Sequence, residues 1–281
     1  MKLIVIRSMK KLAVILASFA LLISSAACMS ASDQAQSPYA VLLGLNPADS
    51  SILSSYDTVV IDAQYFTRDD IAAVQAKGTV VYTYLNIGSI ETFREGYDAL
   101  KGCVLSPYDD WPDEYWVDVS RREWQSFLAA EAETLIDKGV DGFFLDNADV
   151  YYLNPTPEIY SGLVEILENL GRYDKPILIN GGDVFAGKAV LDAEIPLACI
   201  TGVNQECVFT NIDFSTSTLI LQDEEATRYY QDYLARCKGA GLDVYLTEYA
   251  LKDARIQKII QNYCETNDFQ YYISPSINLD R

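Results

Sequence analysis

Residues 141–147 read DGFFLDN, an apolar run that ends abruptly in a carboxylate and an amide. The run from Gly142 to Leu145 contains no polar side chain, which is typical of a parallel strand covered on both faces of its sheet. In α/β barrels the carboxyl ends of such strands carry the functional groups. The sequence therefore predicts a buried strand that presents Asp146 at a functional edge.

Seven other short apolar segments have the same character and alternate with stretches of helical pattern. The predicted strands are residues 39–43, 58–62, 79–86, 142–146, 176–180, 199–203, 242–248 and 269–273. Eight strands with helical crossovers in about 240 residues predict a closed (β/α)8 barrel of TIM type, a single α/β domain over residues 39–281. An open, doubly wound sheet is the structural alternative.

The segments between the strands carry helix start and stop signals. Residues 120–123, SRRE, have the pattern of a capping box, and Gly139 marks the end of that helix. Gly239 and Gly241 likewise end a helix predicted over residues 224–237. A longer insertion, residues 95–116, follows the third strand and is rich in tyrosine and tryptophan. In a barrel, this insertion would lie over the mouth.

The first 27 residues have the pattern of an export signal. Basic residues precede an apolar run over residues 12–23, which is too short to span a bilayer comfortably, and small residues lead to Cys28. Residues 25–28, SAAC, resemble a bacterial lipobox, in which the cysteine is lipidated. We therefore expect a signal peptide over 1–27, a lipid anchor on Cys28 that is the protein's one link to the membrane at the cell surface, and a linker over 28–38. The alternative is secretion after cleavage near Ala27.

The amino-acid composition excludes several classes of partner and of catalytic site. The net charge is −19, which argues against nucleic acid as a partner because its binders carry the opposite charge. Histidine is absent, which excludes Ser-His-Asp catalysis, Cys-His catalysis and histidine-bearing zinc sites. Five cysteines follow Cys28, an odd number without a Cys-x-x-Cys pair, so no disulfide framework is indicated. Acid–base chemistry falls to Asp, Glu and Tyr, and no metal or cofactor is expected.

Carboxylates, amides and tyrosines gather where the predicted strands end. The candidates are Asp62, Tyr84, Asn86, Asp146, Asn147, Asn180, Glu206, Glu248 and Tyr249. Such a set suits a sugar, because amides and acids bind hydroxyl groups, aromatic rings cover apolar sugar faces, and two carboxyl groups suffice for glycosidic cleavage. One of the two must stay protonated, and crowding of carboxylates raises the pKa of at least one.

Several of the acidic residues also have structural interpretations. Asp141 at a strand start reads as a turn or cap residue, and Asp149 as a cap of the following segment. For Asp62, structural hydrogen bonding and contact with substrate are about equally favoured by the sequence. A calcium loop at residues 146–149 is disfavoured, because the further oxygen ligands that such loops need are not nearby.

The ordered motifs resemble glycoside hydrolase family 114, the endo-α-1,4-polygalactosaminidase-like barrels. The fourth-strand motif KGVDGFFLDN at 138–147 is the most specific of them. The others, in chain order, are YLNIG at 84–88 followed by Arg94, WVDV at 116–119 before Trp124, NGG at 180–182, VNQEC at 203–207, YIS at 272–274 and LD at 279–280. The similarity spans nearly all of residues 39–281.

The resemblance implies cleavage of α-1,4-linked galactosamine polymers with Asp146 and Glu206 as the acidic pair. Deacetylated galactosamine polymers are polycations, which would suit the acidic chain. The chain departs from the family in two places. It has Ser89 where many bacterial relatives have Glu, and it reads NQE at 204–206 where relatives often read Asn-Glu. Glu248, at the end of the seventh strand, is the rival of Glu206 as partner of Asp146.

The leading functional prediction is an exported glycosidase whose partner is an amino-sugar polysaccharide. The sequence leaves open which carboxyl group is the acid, and whether the anomeric configuration is retained or inverted. An alternative from another class is a surface lipoprotein that binds polysaccharide without cutting it. A third interpretation is a barrel that acts on another amino sugar or on a peptidoglycan-like glycan, which fold alone does not separate from the first.

Overall fold

The structure, a computed structural model, describes residues 38–109, 111–193, 196–249 and 253–281. These residues belong to one unit, Ser37–Arg281. The predicted signal peptide, Cys28 and the predicted linker up to residue 37 lie outside the described residues, so the boundaries assigned there stay predictions.

Eight parallel strands form the centre of the fold, as the apolar segments predict. They are β1 (Tyr39–Val41), β2 (Thr58–Ile61), β3 (Val80–Asn86), β4 (Gly142–Asp146), β5 (Ile177–Asn180), β6 (Gly202–Glu206), β7 (Asp243–Tyr249) and β8 (Gln270–Ser274). Each strand pairs in parallel with the next along the chain, and β8 approaches β1. The predicted (β/α)8 barrel is therefore confirmed, and all carboxyl ends lie at one mouth.

Side chains of β4 show how the barrel is filled. Phe143 and Phe144 are both completely buried, on opposite faces of the sheet. Phe143 packs toward the helix layer, where its ring centroid lies 6.2 Å from that of Tyr173. Phe144 shares its face with Asp146, because side chains two residues apart point the same way. An apolar strand therefore supports a carboxylate at its end.

The position of the sixth strand differs from the prediction. It runs from Gly202 to Glu206 and not over residues 199–203, so the polar residues 204–206 lie within the strand. Asn204 is buried there without penalty because its amide is satisfied: Nδ2 donates to Asn180 Oδ1 (2.7 Å), and Oδ1 accepts from Thr247 Oγ1 (3.1 Å). In the sequence, the polar residue Asn204 therefore looks like the end of the strand, although it lies inside the barrel.

Helices connect the strands on the outside of the barrel. The α-helices are Arg68–Gln75, Tyr97–Leu100, Arg122–Asp137, Val150–Leu153, Pro157–Gly171, Asp183–Ala186, Glu224–Gly239 and Ala254–Asn267. Shorter turns of 3-10 helix occupy Pro47–Ser55, Ala63–Tyr65 and Lys101–Cys103, and a π-helical turn occupies Gly187–Leu191.

The predicted capping box is wrong, and the helix stops are right in part. The helix begins after Arg121, which makes no side-chain cap, while Ser120 Oγ donates to Asp118 Oδ1 (2.6 Å) in the preceding turn. Gly139 follows the end of that helix with φ 90°, as a C-terminal glycine should. The later helix includes Gly239 as its last residue, so Gly239 does not follow it as a stop. Gly241, two residues further along and with φ 88°, takes that position.

Two additional sheets stand at the carboxyl ends of the strands. The insertion after β3 forms an antiparallel sheet from Ser89–Glu91, Val104–Pro107 and Glu114–Val117. A hairpin after β6 pairs Thr210–Asp213 with Thr218–Leu221. Both line the cavity described below, so the insertion lies over the mouth as predicted.

The described residues contain no helix with the length and apolar character needed to cross a membrane. Within the described part of the chain, cysteines 103, 199, 207, 237 and 264 are free thiols.

Candidate active site

A cavity of about 710 Å³ opens at the carboxyl ends of the strands. Five of the residues predicted to bind substrate line it: Asp62, Tyr84, Asn147, Asn180 and Tyr249. Asp146 and Glu206 line the same cavity. The catalytic pair predicted from the sequence therefore faces one open space, and the insertion does not fill it.

Asn180 joins the two carboxyl groups. It ends β5, between Asp146 at the end of β4 and Glu206 at the end of β6. Its Nδ2 donates to Asp146 Oδ1 and to Glu206 Oε1, both at 2.9 Å. Two such bonds to a single nitrogen hold the two oxygen atoms within about 6 Å of each other.

A second donor binds Glu206. Tyr249, the last residue of β7, donates its hydroxyl to Glu206 Oε2 at 2.7 Å. Glu206 thus accepts one hydrogen bond on each oxygen, from two neighbouring strands, and its position is well defined.

Burial and the nearby charge of Glu206 raise the pKa of Asp146 well above its ordinary value, although the Asn180 hydrogen bond opposes the rise. Asp146 therefore retains its proton at a pH where an isolated aspartic acid has lost it. Acid–base cleavage of a glycosidic bond requires one protonated carboxyl group beside a second one.

The corner after β4 is held by a buried polar cluster. Asn147 has a left-handed φ of 66°, and its Nδ2 donates to Asn86 Oδ1 (3.1 Å), Ser89 Oγ (2.8 Å) and Glu114 Oε1 (3.1 Å). Asn86 bonds to the same serine and glutamate and lies outside the cavity lining. The cluster uses the Asn86 amide to fix the corner, and the predicted contact of Asn86 with substrate stays a prediction.

Asp62 makes the structural hydrogen bonds considered from the sequence, and its predicted contact with substrate stays a prediction. Its Oδ1 accepts from the backbone of Gln64 (3.2 Å), its Oδ2 accepts from Arg94 Nη1 (2.8 Å), and it still lines the cavity. Arg94 also binds Glu91 Oε1 at 2.9 Å. Burial raises the pKa of Asp62, and Arg94 counteracts that effect.

Glu248 has structural partners and does not line the cavity, and its predicted contact with substrate stays a prediction. It is completely buried and lies outside the cavity lining. Its carboxylate accepts from the backbone N–H groups of Val208, Phe209 and Thr210, each at 2.9 Å, and so fixes the chain between β6 and the hairpin. Burial raises its pKa to about 7 against these donors. Glu206, unlike Glu248, lines the same cavity as Asp146.

The structure agrees with the structural interpretation of Asp141 but not with the cap predicted for Asp149. Asp141 is structural as predicted, since its Oδ2 accepts from Val81 N and Gln75 Nε2, both at 2.9 Å. Asp149 makes no side-chain cap. Instead its Oδ2 accepts from Gly182 N (3.0 Å), and the residue lines the cavity, where burial and Asp183 raise its pKa to about 6.

The sequence reasoning missed the part of the lining that comes from the insertion and the hairpin. These residues are Tyr108, Trp111, Asp113, Glu114, Asn211 and Phe214. The aromatic content of residues 95–116 was the available signal, but the sequence does not show which rings turn inward. Among the described residues, no group of three or more His, Cys, Asp or Glu side chains has the arrangement of a metal site.

The sequence model of Glycoside-hydrolase family GH114 matches residues 24–172. The chain belongs to this family. It is therefore a glycosidase, and the resemblance seen in the motifs is confirmed. Among curated proteins, no sequence matches the chain.

Solved structures show the same fold in other GH114-like and glycosidase barrels. The glycoside hydrolase domain of PelA from Pseudomonas aeruginosa superposes with a TM-score of 0.74 at 18% identity, over 86% of this chain and 96% of that one. Aspergillus fumigatus Ega3, in complex with galactosamine, gives 0.69 at 18% identity over 87% and 92%. The α-galactosidase TtGalA from Thermus thermophilus gives 0.56 at 10% identity over 85% and 58%. At these identities the likeness shows the fold alone.

Proposed function

We propose that this GH114 chain hydrolyses α-1,4-linked galactosamine-containing polysaccharide, with Asp146 and Glu206 as its two reacting carboxyl groups. The observation that carries the proposal is the Asn180 amide, which donates to both carboxylates at 2.9 Å inside one open cavity. The galactosamine bound to Ega3, which has the same fold, supports the class of sugar.

The charge of the cavity supports a cationic substrate. Its acidic lining residues are Asp62, Glu91, Asp113, Glu114, Asp146, Asp149 and Glu206. Among the described residues of this lining, Arg94 is the one basic side chain, and Asp62 and Glu91 already neutralise it. The remaining negative charge complements the ammonium groups of deacetylated amino sugars.

The separation of the pair favours retention of the anomeric configuration. Retaining enzymes place their carboxyl groups about 5–5.5 Å apart, and inverting enzymes about 6.5–9.5 Å apart. In the first step one carboxylate attacks the anomeric carbon while the other gives its proton to the departing glycosidic oxygen. A glycosyl ester forms as the glycosidic bond breaks. In the second step water loses a proton to the second group, attacks the anomeric carbon and releases the first carboxylate.

The test is incubation of the purified protein with partially deacetylated galactosamine polymer, with released oligosaccharides identified by mass spectrometry. We expect Asp146→Asn and Glu206→Gln each to lower the rate about 100- to 10,000-fold. The matched controls are Asp98→Asn and Glu224→Gln, whose side chains are 89% and 93% exposed, and they should cleave like the parent.

The first product, followed by proton NMR, should carry the α configuration. Full activity in both site variants would refute the assignment of the pair. A β product would refute the retaining mechanism alone.

The export signal pattern also supports a proposed location, the cell surface, with Cys28 as the lipid anchor. After expression of the full chain, the parent should sediment with membranes, and its N-terminal peptide should carry a diacylglycerol mass. Cys28→Ala should lose both properties. A parent protein found entirely in the medium with an unmodified N-terminus would support secretion instead.

A further inference from the structure

Two aromatic side chains meet above the cavity. Trp111 belongs to the insertion after β3, and Phe214 belongs to the turn of the hairpin after β6. Their ring centroids lie 5.5 Å apart with the planes at 74°, an edge-to-face contact. Both residues line the cavity that contains Asp146 and Glu206.

The order of the barrel strands shows what this contact spans. Between β3 and β6 stand β4 and β5, whose ends carry Asp146 and Asn180. A contact between the segments that follow β3 and β6 therefore passes across the sector of the mouth that holds the catalytic pair. We call Trp111 and Phe214 the aromatic bridge.

Both rings of the bridge keep exposed apolar surface. Trp111 is 43% exposed and Phe214 is 37% exposed, and both residues line the cavity. Beside them, Tyr108 stacks on Trp116, with centroids 4.3 Å apart and the planes at 17°. Burial raises the pKa of Tyr108 most, and the charges of four nearby acids, Asp146, Asp149, Glu114 and Glu206, raise it further. This ring therefore lies among the acidic side chains of the cavity.

Aromatic surface above and carboxylates below are complementary to one kind of ligand. The apolar face of a pyranose ring packs on an aromatic side chain, and an ammonium group on the same sugar is attracted by carboxylates. We propose that the aromatic bridge is a sugar-binding subsite that covers a single amino-sugar chain as it crosses the catalytic pair. A chain held in this way is bound over several sugar units, whereas a monosaccharide does not extend to the bridge.

The inference rests on the proposed function and adds to it the residues that select a chain over a single sugar. Tryptophan fluorescence gives a direct readout, because the sequence has three tryptophans, and Trp116 and Trp124 are buried. Emission that acrylamide quenches in the parent is therefore emission from Trp111.

The experiment uses the full chain carrying Asp146→Asn, so that ligands stay intact, with deacetylated α-1,4-galactosamine oligosaccharides of defined length and with free galactosamine. Long oligosaccharides should protect the fluorescence from acrylamide, and galactosamine should not. Adding Trp111→Ala or Phe214→Ala should weaken calorimetric binding of long oligosaccharides about 2- to 13-fold, without change for galactosamine. The matched control is Leu105→Ala, in the same insertion and 42% exposed but outside the lining.

The outcomes separate the two proposals. If the parent cleaves the polymer while the bridge variants bind long oligosaccharides as tightly as Leu105→Ala does, the bridge subsite is refuted and the proposed function stands. Equal weakening for galactosamine and for long oligosaccharides would also refute it, since the bridge would then act on the whole site. A parent that neither cleaves nor binds any galactosamine ligand overturns both.

Discussion

At the scale of single residues, the proposed catalytic pair, Asp146 and Glu206, depends on one correctly oriented amide. The two N–H groups of Asn180 serve the two carboxylates, one each. The orientation of Asn180 is itself fixed, because its Oδ1 accepts from Asn204 Nδ2 at 2.7 Å, and Asn204 Oδ1 accepts from Tyr39 and Thr247. Buried amides from neighbouring strands therefore set the separation of two groups that would otherwise repel each other.

Asn180→Ala tests this dependence. Loss of a hydrogen bond to a charged group should lower kcat/KM about 10- to 100-fold. The bond from Asn180 lowers the pKa of Asp146, so its removal should raise that pKa further. Asp146 then ionises at higher pH, so the limb of the pH profile of kcat/KM that reports Asp146 should move upward.

The control for this variant is Asn267→Ala, which removes an amide bonded to Tyr263 O (2.8 Å) away from the cavity. It should leave the pH profile in place. A pH profile with both limbs unchanged in Asn180→Ala would show that the amide does not control the ionisation of Asp146.

At the scale of elements, the site depends on a close approach between the segments that follow β3 and β4. Gly88 lies so near the Asn147 carbonyl that a Cβ on Gly88 would stand 1.8 Å from the oxygen atom. Asn147 in turn follows Asp146 directly and is held by the polar cluster with Glu114 of the insertion. The glycine thus allows the insertion to dock on the corner that positions Asp146, the proposed catalytic aspartate.

Gly88→Ala should therefore reduce both stability and activity. Overpacking of this kind costs about 1–3 kcal/mol, which lowers the unfolding midpoint of a domain of this size by about 2–12 °C. Circular dichroism gives the midpoint, and polymer cleavage gives the activity. Gly102→Ala is the matched control, since its Cβ would meet no atom within 4 Å. If the two variants melt together and cleave alike, the corner is not tightly packed.

The strands and the insertion also show how much of the fold and of the site the sequence predicts. Continuous apolar runs locate strands of a covered barrel well, because burial on both faces leaves no other composition. Sequence patterns mislead where polar groups are buried with partners: Asn204 looks like a strand end although it lies inside β6, and Glu248 looks like a site residue although it accepts from backbone N–H groups. Glu114 and Trp111 were missed because long-range packing of an irregular insertion decides which of its side chains face the cavity.

At the scale of the whole molecule, the charge of the chain and the charge of the cavity have the same sign. The chain carries a net charge of −19, and carboxylates dominate the cavity lining. A polycation is therefore attracted first by the whole surface and then by the cavity, where low dielectric strengthens each interaction. The long-range attraction is screened by salt, whereas contacts inside the cavity are screened much less.

This difference predicts how activity responds to salt. Between about 10 mM and about 150 mM NaCl the Debye length falls from about 30 Å to about 8 Å, so KM for a deacetylated galactosamine polymer should rise steeply while kcat changes little. Steady-state rates of the parent at fixed pH measure both constants. The matched comparison is a short deacetylated oligosaccharide, whose few charges feel less of the distant surface and whose KM should rise less. A KM for the polymer that is constant over this range would mean that contacts inside the cavity alone capture the substrate, and that the acidity of the remaining surface has no part in binding.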